Sequence, residues 1–272
     1  MIVVTGATGN VGRPLVRALA AAGEDVTAVS RSIADAPTGV RRHQADLAEP
    51  ETLKPALEGA DAVFLLTSGD FITRGNLNDV VQIVRAAGVE RVVLLSSQGV
   101  GSERHPANLE EAVMQSGLEW TMLRPGNFSS NALQWAESVR SQRVVSAPFG
   151  DVALPAIDPD DIAEVAAAVL REPGHAGGIY TLTGPTPITP KEQAAAIADA
   201  VGEPVRFVEL SHAEARGRML EYMPERVADA TLDILGAPSI AEQEVSPDVE
   251  KVLGRPARTF ADWVARNVEA FS

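Results

Sequence analysis

The residues with the sharpest chemical meaning stand near the start of the chain. Gly6-Ala7-Thr8-Gly9-Asn10-Val11-Gly12 follows a short β-branched run, Ile2–Thr5, and leads into a helix-like segment at 13–22. A glycine loop between a strand and a helix cradles phosphate: the helix N-terminus offers unpaired N–H groups and a positive dipole end to an anion. Gly6 permits the tight turn, Gly9 lets backbone approach a pyrophosphate, and Gly12 lets helix and strand pack closely. Thr8, Asn10 and Val11 share this loop and are assigned to a dinucleotide with it. The end of the next strand selects the dinucleotide. An acid there accepts from a ribose 2′-OH, but Ser30-Arg31-Ser32 has none, and Asp25 sits at the wrong end of the strand. Arg31, assisted by Arg13, suits a 2′-phosphate as a planar bidentate cation. NADPH is therefore expected over NADH. Asp46, after the third strand, either borders the adenine or only caps a helix.

The elements that must position these groups alternate. Strands are expected at 25–30, 40–44, 62–67, 91–96 and 120–124, with helices at 51–58, 76–87 and 107–116. The runs AVFLLT and RVVLLS are continuously apolar, as strands buried on both faces are. This β-α-β-α order predicts an α/β fold, a doubly wound, mostly parallel sheet of Rossmann type with a smaller C-terminal substrate lobe. Residues 1–128 form the coenzyme domain, 157–185 return to it, and 129–156 with 186–272 make the lobe. In the second half, 158–171 reads as a helix, 178–183 as a last sheet strand and 205–210 as a further strand. Thr189-Pro190-Lys191-Glu192 reads as a capping box. Residues 212–235 are helical with a break at Pro224, and Thr259 caps a final amphipathic helix carrying Phe260, Trp263, Val264 and Val268.

Several stretches resemble the atypical short-chain dehydrogenase/reductases, in the NmrA-like and quinone- or azo-reductase-like branch. They are the glycine loop, Ser96-Ser97, the run from Ser116 to Thr121 leading into Leu123-Arg124-Pro125-Gly126-Asn127-Phe128, the stretch from Ile157 to Ala163, and the stretch from Tyr180 to Pro185. The resemblance covers most of the chain to about residue 210. It implies a Rossmann domain, a small lobe, and a substrate cleft between them over the nicotinamide.

One departure from that family stands out. Short-chain reductases carry Tyr-x-x-x-Lys on the helix after the fifth strand, the tyrosine giving the proton. Here the two tyrosines are at 180 and 222 and the three lysines at 54, 191 and 251, so that helix has neither. A reductase of this kind rests on positioning, with a proton from water or a nearby hydroxyl. The candidates are Ser96, Ser97 and His105, and Ser96 also faces the coenzyme. Thr67 and Ser68 flank the nicotinamide ribose, and Pro125 borders the coenzyme. Phe71, Gln98, Asn127, Phe128, Trp135 and Tyr222 are the substrate candidates, with Phe149, Met219 and Met223 as further walls. The expected activity is NADPH-dependent reduction of a carbonyl or quinone group in a small aromatic or polyketide-like molecule. The alternative implied by the resemblance is an NADP(H)-binding redox sensor that turns nothing over. A nucleotide-sugar epimerase ranks lower, since it needs the same missing pair.

Composition narrows the classes. The 37 acidic and 23 basic side chains give a net charge of −14, against nucleic acid and anionic membrane surfaces as partners. Cysteine is absent, which excludes disulfides and thiolate chemistry. The four histidines include no i, i+4 pair, so no metal is expected. No apolar run is long enough for a bilayer and the N-terminus lacks signal-peptide features, so a cytoplasmic protein is expected.

Overall fold

The computed structural model describes residues 1–32 and 36–272. Its strands are β1 (Ile2–Thr5), β2 (Val26–Ser30), β3 (Arg41–Gln44), β4 (Ala62–Leu66), β5 (Arg91–Leu95), β6 (Glu119–Pro125), β7 (Val144–Ala147), β8 (Gly178–Leu182) and β9 (Arg206–Glu209). Seven of them form one sheet in the order β3-β2-β1-β4-β5-β6-β8, every pair parallel. The order reverses between β1 and β4. Crossovers run to opposite sides of that point and leave a crevice at the carboxyl ends of the strands, where ligands of such sheets bind.

The helices are α1 (Gly12–Ala21), α2 (Lys54–Leu57), α3 (Gly69–Arg74), α4 (Leu77–Ala86), α5 (Gln98–Gly101), α6 (Asn108–Met114), α7 (Ala136–Gln142), α8 (Pro159–Arg171), α9 (Pro190–Val201), α10 (His212–Met219), α11 (Glu225–Gly236), α12 (Ile240–Gln243), α13 (Asp248–Leu253) and α14 (Phe260–Arg266). Successive strand residues point to opposite faces, so the apolar runs feed two cores. Val4, Phe64 and Val93 pack with Leu15 and Leu19 of α1 and Ile162 and Val169 of α8. Val3, Val63, Leu65 and Leu94 pack with Leu57, Val80, Val84 and Val113 on the other side. Phe64 and Leu65 are both fully buried, each burial worth about 1.5–3 kcal/mol.

A second group of elements sits on residues 129–147 and the last third of the chain. Strands β7 and β9 pair in parallel, and Trp135, Val139, Val145, Ile197, Phe260, Trp263 and Phe271 form a separate core beneath them. The strand expected at 205–210 thus has a partner, β7, which four residues without alternation do not announce. The capping boxes at Thr189 and Thr259 are both formed, and Pro224 caps α11. Helix α13 returns to the sheet: Val249 is buried in the core of α1 and α8, and Val252 and Leu253 pack against that core beside it. The return is held by acids of α8. Fully buried Asp161 accepts from Arg255 (2.7 Å) and from the Arg258 backbone (2.7 Å), and Asp158 is paired with Arg266. Among the described residues no helix is long and apolar enough to cross a membrane, and no cluster of acids and histidines has the makeup of a metal site.

Candidate active site

Thr5 closes β1 with a side chain that locks the switch point. Its hydroxyl donates to the Phe64 carbonyl (3.0 Å) and accepts from the Leu66 N–H (2.9 Å). The chain then turns at Gly6, whose φ of +64° lies in the left-handed region open to glycine. The Gly9 N–H donates back to the Gly6 carbonyl (3.0 Å). A Cβ on Gly12 would sit 2.1 Å from that same oxygen, so loop and helix start are in backbone contact. Helix α1 has no side-chain cap and no acid in its first turn, which leaves its end open to an anion. Asn10 donates to the Ser130 hydroxyl (3.3 Å) and ties the loop to the segment after β6. Arg13 donates to the Thr8 carbonyl (3.4 Å) beside it. These residues fit a dinucleotide pyrophosphate.

At the end of β2 the Ser30 hydroxyl donates to the Ser32 carbonyl (2.9 Å), folding the turn on which exposed Arg31 stands. Asp25, at the opposite end of β2, is paired with Arg41 (2.6 Å). Asp46 accepts from the Ala48 N–H (3.0 Å) in a turn and caps no helix, since Glu49 holds the cap position before residues 50–53. Thr67 and Ser68 follow β4, and Ser68 caps α3 through the Phe71 N–H (3.3 Å). Phe71 itself does not line the cleft. It is 2 % exposed and packs in the core of α4, because Gly75 leaves room for its ring (a Cβ there would lie 2.3 Å from it).

The ends of β5 and β6 separate the two serines. Ser96 points into the helix layer, where its hydroxyl donates to Glu110 (2.5 Å). Glu110, 1 % exposed, also takes a bidentate pair from Arg124 (2.9 and 2.6 Å). Burial pushes the Glu110 carboxyl up, but the hydrogen bonds from Arg124 and Ser96 outweigh it and hold the group below its ordinary value, since both favour the charged form. Position 110 lies on the helix that carries Tyr-x-x-x-Lys in short-chain reductases; a structural ion pair stands there instead, and Ser96 is drawn out of the cleft with it. Ser97 faces the other way. Its hydroxyl accepts from the Gly99 N–H (3.1 Å) and lies 3.1 Å from His105 Nδ1. Both residues wall a cavity of about 350 Å³ with Gln98 and the stretch from Pro125 to Phe128. Gln98 is anchored on the Ala241 carbonyl (3.0 Å), and a Cβ on Gly126 would lie 2.8 Å from its Oε1.

A second cavity of about 830 Å³ adjoins the first across Asn127, Phe128, Asn131 and Leu154. Trp135 walls it, its indole N–H donating to the Ser146 carbonyl (3.1 Å). Phe149, Met219, Tyr222 and Met223 complete the apolar side. Phe149 holds a positive φ of 54°. That is a left-handed backbone, which a bulky residue rarely adopts. Its ring fills the space a side chain at Gly236 would need (2.6 Å). Tyr222 is largely exposed at the rim. Asn131 is a lining residue that the sequence reading does not pick out. It donates to the Asn127 side chain (2.8 Å). No periodic pattern announces it, because Asn127 lies outside the short 3-10 turn at 129–135 that carries Asn131.

Known proteins resemble this chain over its whole length. A family model described as NAD(P)H-binding matches residues 6–173. The (4-alkanoyl-5-oxo-2,5-dihydrofuran-3-yl)methyl phosphate reductase of Streptomyces griseus is 39% identical, covering 100% of this chain and 99% of its own. The NAD(P)H azoreductase of Xenophilus azovorans is 35% identical over 100% and 99% of the two chains. The solved NADPH complex of the quinone oxidoreductase QOR2 of Escherichia coli superposes with a TM-score of 0.81 at 27% identity, covering 98% of this chain and 99% of that one.

Proposed function

This chain belongs to the NAD(P)H-binding family, and from that membership we propose that it is an NADPH-dependent reductase of a carbonyl or quinone group in a small molecule. The observation that carries the reading is the cavity between Ser97, His105 and Phe128 at the carboxyl ends of β5 and β6, opening into a larger apolar one. A planar acceptor fits the first and its apolar body the second. The relatives' names point to conjugated acceptors: a furanone phosphate, an azo compound, a quinone. Bound NADPH supplies a hydride there.

The chain's own residues bind and orient. The loop from Gly6 to Gly12 takes the pyrophosphate, Arg31 and Arg13 the 2′-phosphate, and Thr67, Ser68 and Pro125 border the nicotinamide half. Gln98, Asn127, Phe128, Trp135 and Tyr222 contact the substrate. Residues 1–128 with 157–185 and α13 serve the coenzyme, and the remainder shapes the substrate lobe. We place the activity in the cytoplasm.

The test is NADPH consumption by the purified protein over a panel of quinones, conjugated ketones and polycyclic ketones, with NADH in parallel. Protein-dependent turnover with NADPH is the expected result. Tight NADP(H) binding with no turnover on any acceptor would favour the sensor reading. Arg31→Asp should weaken NADPH binding about tenfold to a hundredfold, the worth of one charge-assisted hydrogen bond, and leave NADH nearly as before. Equal losses for both coenzymes would remove the 2′-phosphate assignment.

A further inference from the structure

We infer that Ser97, recharged by His105, protonates the substrate oxygen as the hydride arrives, replacing the tyrosine this chain lacks; this rests on the reductase reading above. A serine hydroxyl has one donor and two acceptor positions. At Ser97 the Gly99 N–H fills one acceptor position (3.1 Å), and His105 Nδ1, 3.1 Å away, fills the other whenever it carries a proton. The hydroxyl's own hydrogen is then left for a group in the cavity that both residues wall. Two N–H donors on one oxygen also polarise its O–H bond and strengthen it as a donor.

The histidine is fixed rather than loosely placed. Its backbone N–H donates to the Gly99 carbonyl (2.9 Å). Its ring occupies the volume a side chain at position 99 would need, with Nδ1 2.5 Å from where a Cβ would be. Only glycine at 99 lets the ring lie against Ser97. The other polar groups nearby are engaged elsewhere. Ser96 is bound to Glu110, on the far side of the strand ends. Glu242 lines the same cavity and accepts from the Ser102 hydroxyl (2.7 Å) and the Ser239 N–H (2.7 Å). Both bonds favour its proton-free form.

Bound NADPH would lose a C–H bond of its nicotinamide and be oxidised to NADP⁺, while the acceptor is reduced: its electrophilic carbon gains the hydride and the electron pair of its π bond moves onto the conjugated oxygen. The Ser97 O–H bond breaks as that oxygen gains its hydrogen. His105 takes part as the imidazolium: its Nδ1–H bond breaks in turn, restores the hydroxyl and leaves the neutral Nε2–H ring. The exposed ring then recovers a proton from water. Ser97 is the catalytic residue, and His105 acts through it.

Two acceptors separate this role from a structural one. A conjugated ketone needs both hydride and proton, whereas a triarylmethyl cation dye is neutralised by hydride alone. The readout is the ratio of ketone to dye turnover with saturating NADPH. His105→Gln and Ser97→Ala should each lower that ratio about a hundredfold or more, the scale of general acid catalysis. Ser97→Thr keeps the hydroxyl and the helix cap, and should restore the ratio to within about threefold of the parent, on the same scale. Ketone and dye turnover falling together in both variants would overturn the proton role and leave the pair as pocket architecture. An unchanged ratio would overturn it as well. If the parent protein turns over neither acceptor, the reductase reading itself falls and takes this inference with it.

Discussion

Gly12→Ala should bind NADPH at least about a hundredfold more weakly than the parent chain, a loss of roughly 2.7 kcal/mol. The new Cβ would stand 2.1 Å from the Gly6 carbonyl oxygen, 2.7 Å from its carbon and 2.9 Å from the Ala7 Cα. All three atoms are backbone, so no side chain can swing aside. The loop must lift from α1, and the N–H groups proposed to hold the pyrophosphate lose their common aim. Gly9→Ala is the informative partner. Its Cβ would meet only the Gly6 carbonyl, at 3.3 Å, which a small shift relieves, so the apo fold should tolerate it while the methyl obstructs the phosphate. Calorimetric titration with NADPH, alongside thermal unfolding without ligand, separates crowding of the ligand from damage to the loop. Parent-like affinity in Gly12→Ala would show that the pyrophosphate does not lie on this loop.

The second large effect is on stability. Arg124→Met removes the partner of a carboxylate that is 1 % exposed. It should cost about 3–5 kcal/mol, the usual consequence of stranding a buried charge. Urea unfolding at neutral pH measures it. Joining Glu110→Gln to Arg124→Met should recover much of the loss, because the uncompensated charge disappears with its partner. A double variant as unstable as the sum of the two singles would mean the pair contributes through packing alone. The same pair sets a pH dependence. The folded-state value of Glu110 lies below its ordinary 4.5. Its contribution is therefore complete above that ordinary value and fades as pH falls through the lower folded one. Arg124→Met should shrink that acid limb of the stability curve.

Much of this is legible in the sequence because it is local. The glycine loop is a seven-residue pattern. AVFLL and RVVLL declare buried parallel strands by being apolar without interruption. The capping boxes at Thr189 and Thr259 are read from four residues each. What escapes depends on register or on a distant neighbour. Nothing near Ser96 says that it turns toward Glu110 while Ser97 turns to the cleft. That follows from the pleat at the end of β5 and from the pairing of Leu95 with Leu123, which brings Arg124 alongside. Phe71 reads as one of several aromatic side chains that could wall a cleft. Its place in the core is decided by the missing side chain at Gly75, across a turn of α3. Strand β7 is short and pairs only with β9, far later in the chain. Its strand character comes from that partner, so no window around it carries the pattern.

The bond from Asn10 to Ser130 has a thermodynamic meaning. It joins the glycine loop, proposed above to receive the coenzyme, to the stretch that carries Asn127, Phe128 and Asn131 into both cavities. Whatever the first ligand does to that bond, the second ligand feels, and the coupling is equal in both directions. Each ligand should therefore change the other's affinity by the same factor in either order of addition. Asn10→Ala should bring that factor close to one in binding titrations. An unchanged factor in that variant would mean the two sites communicate by another route.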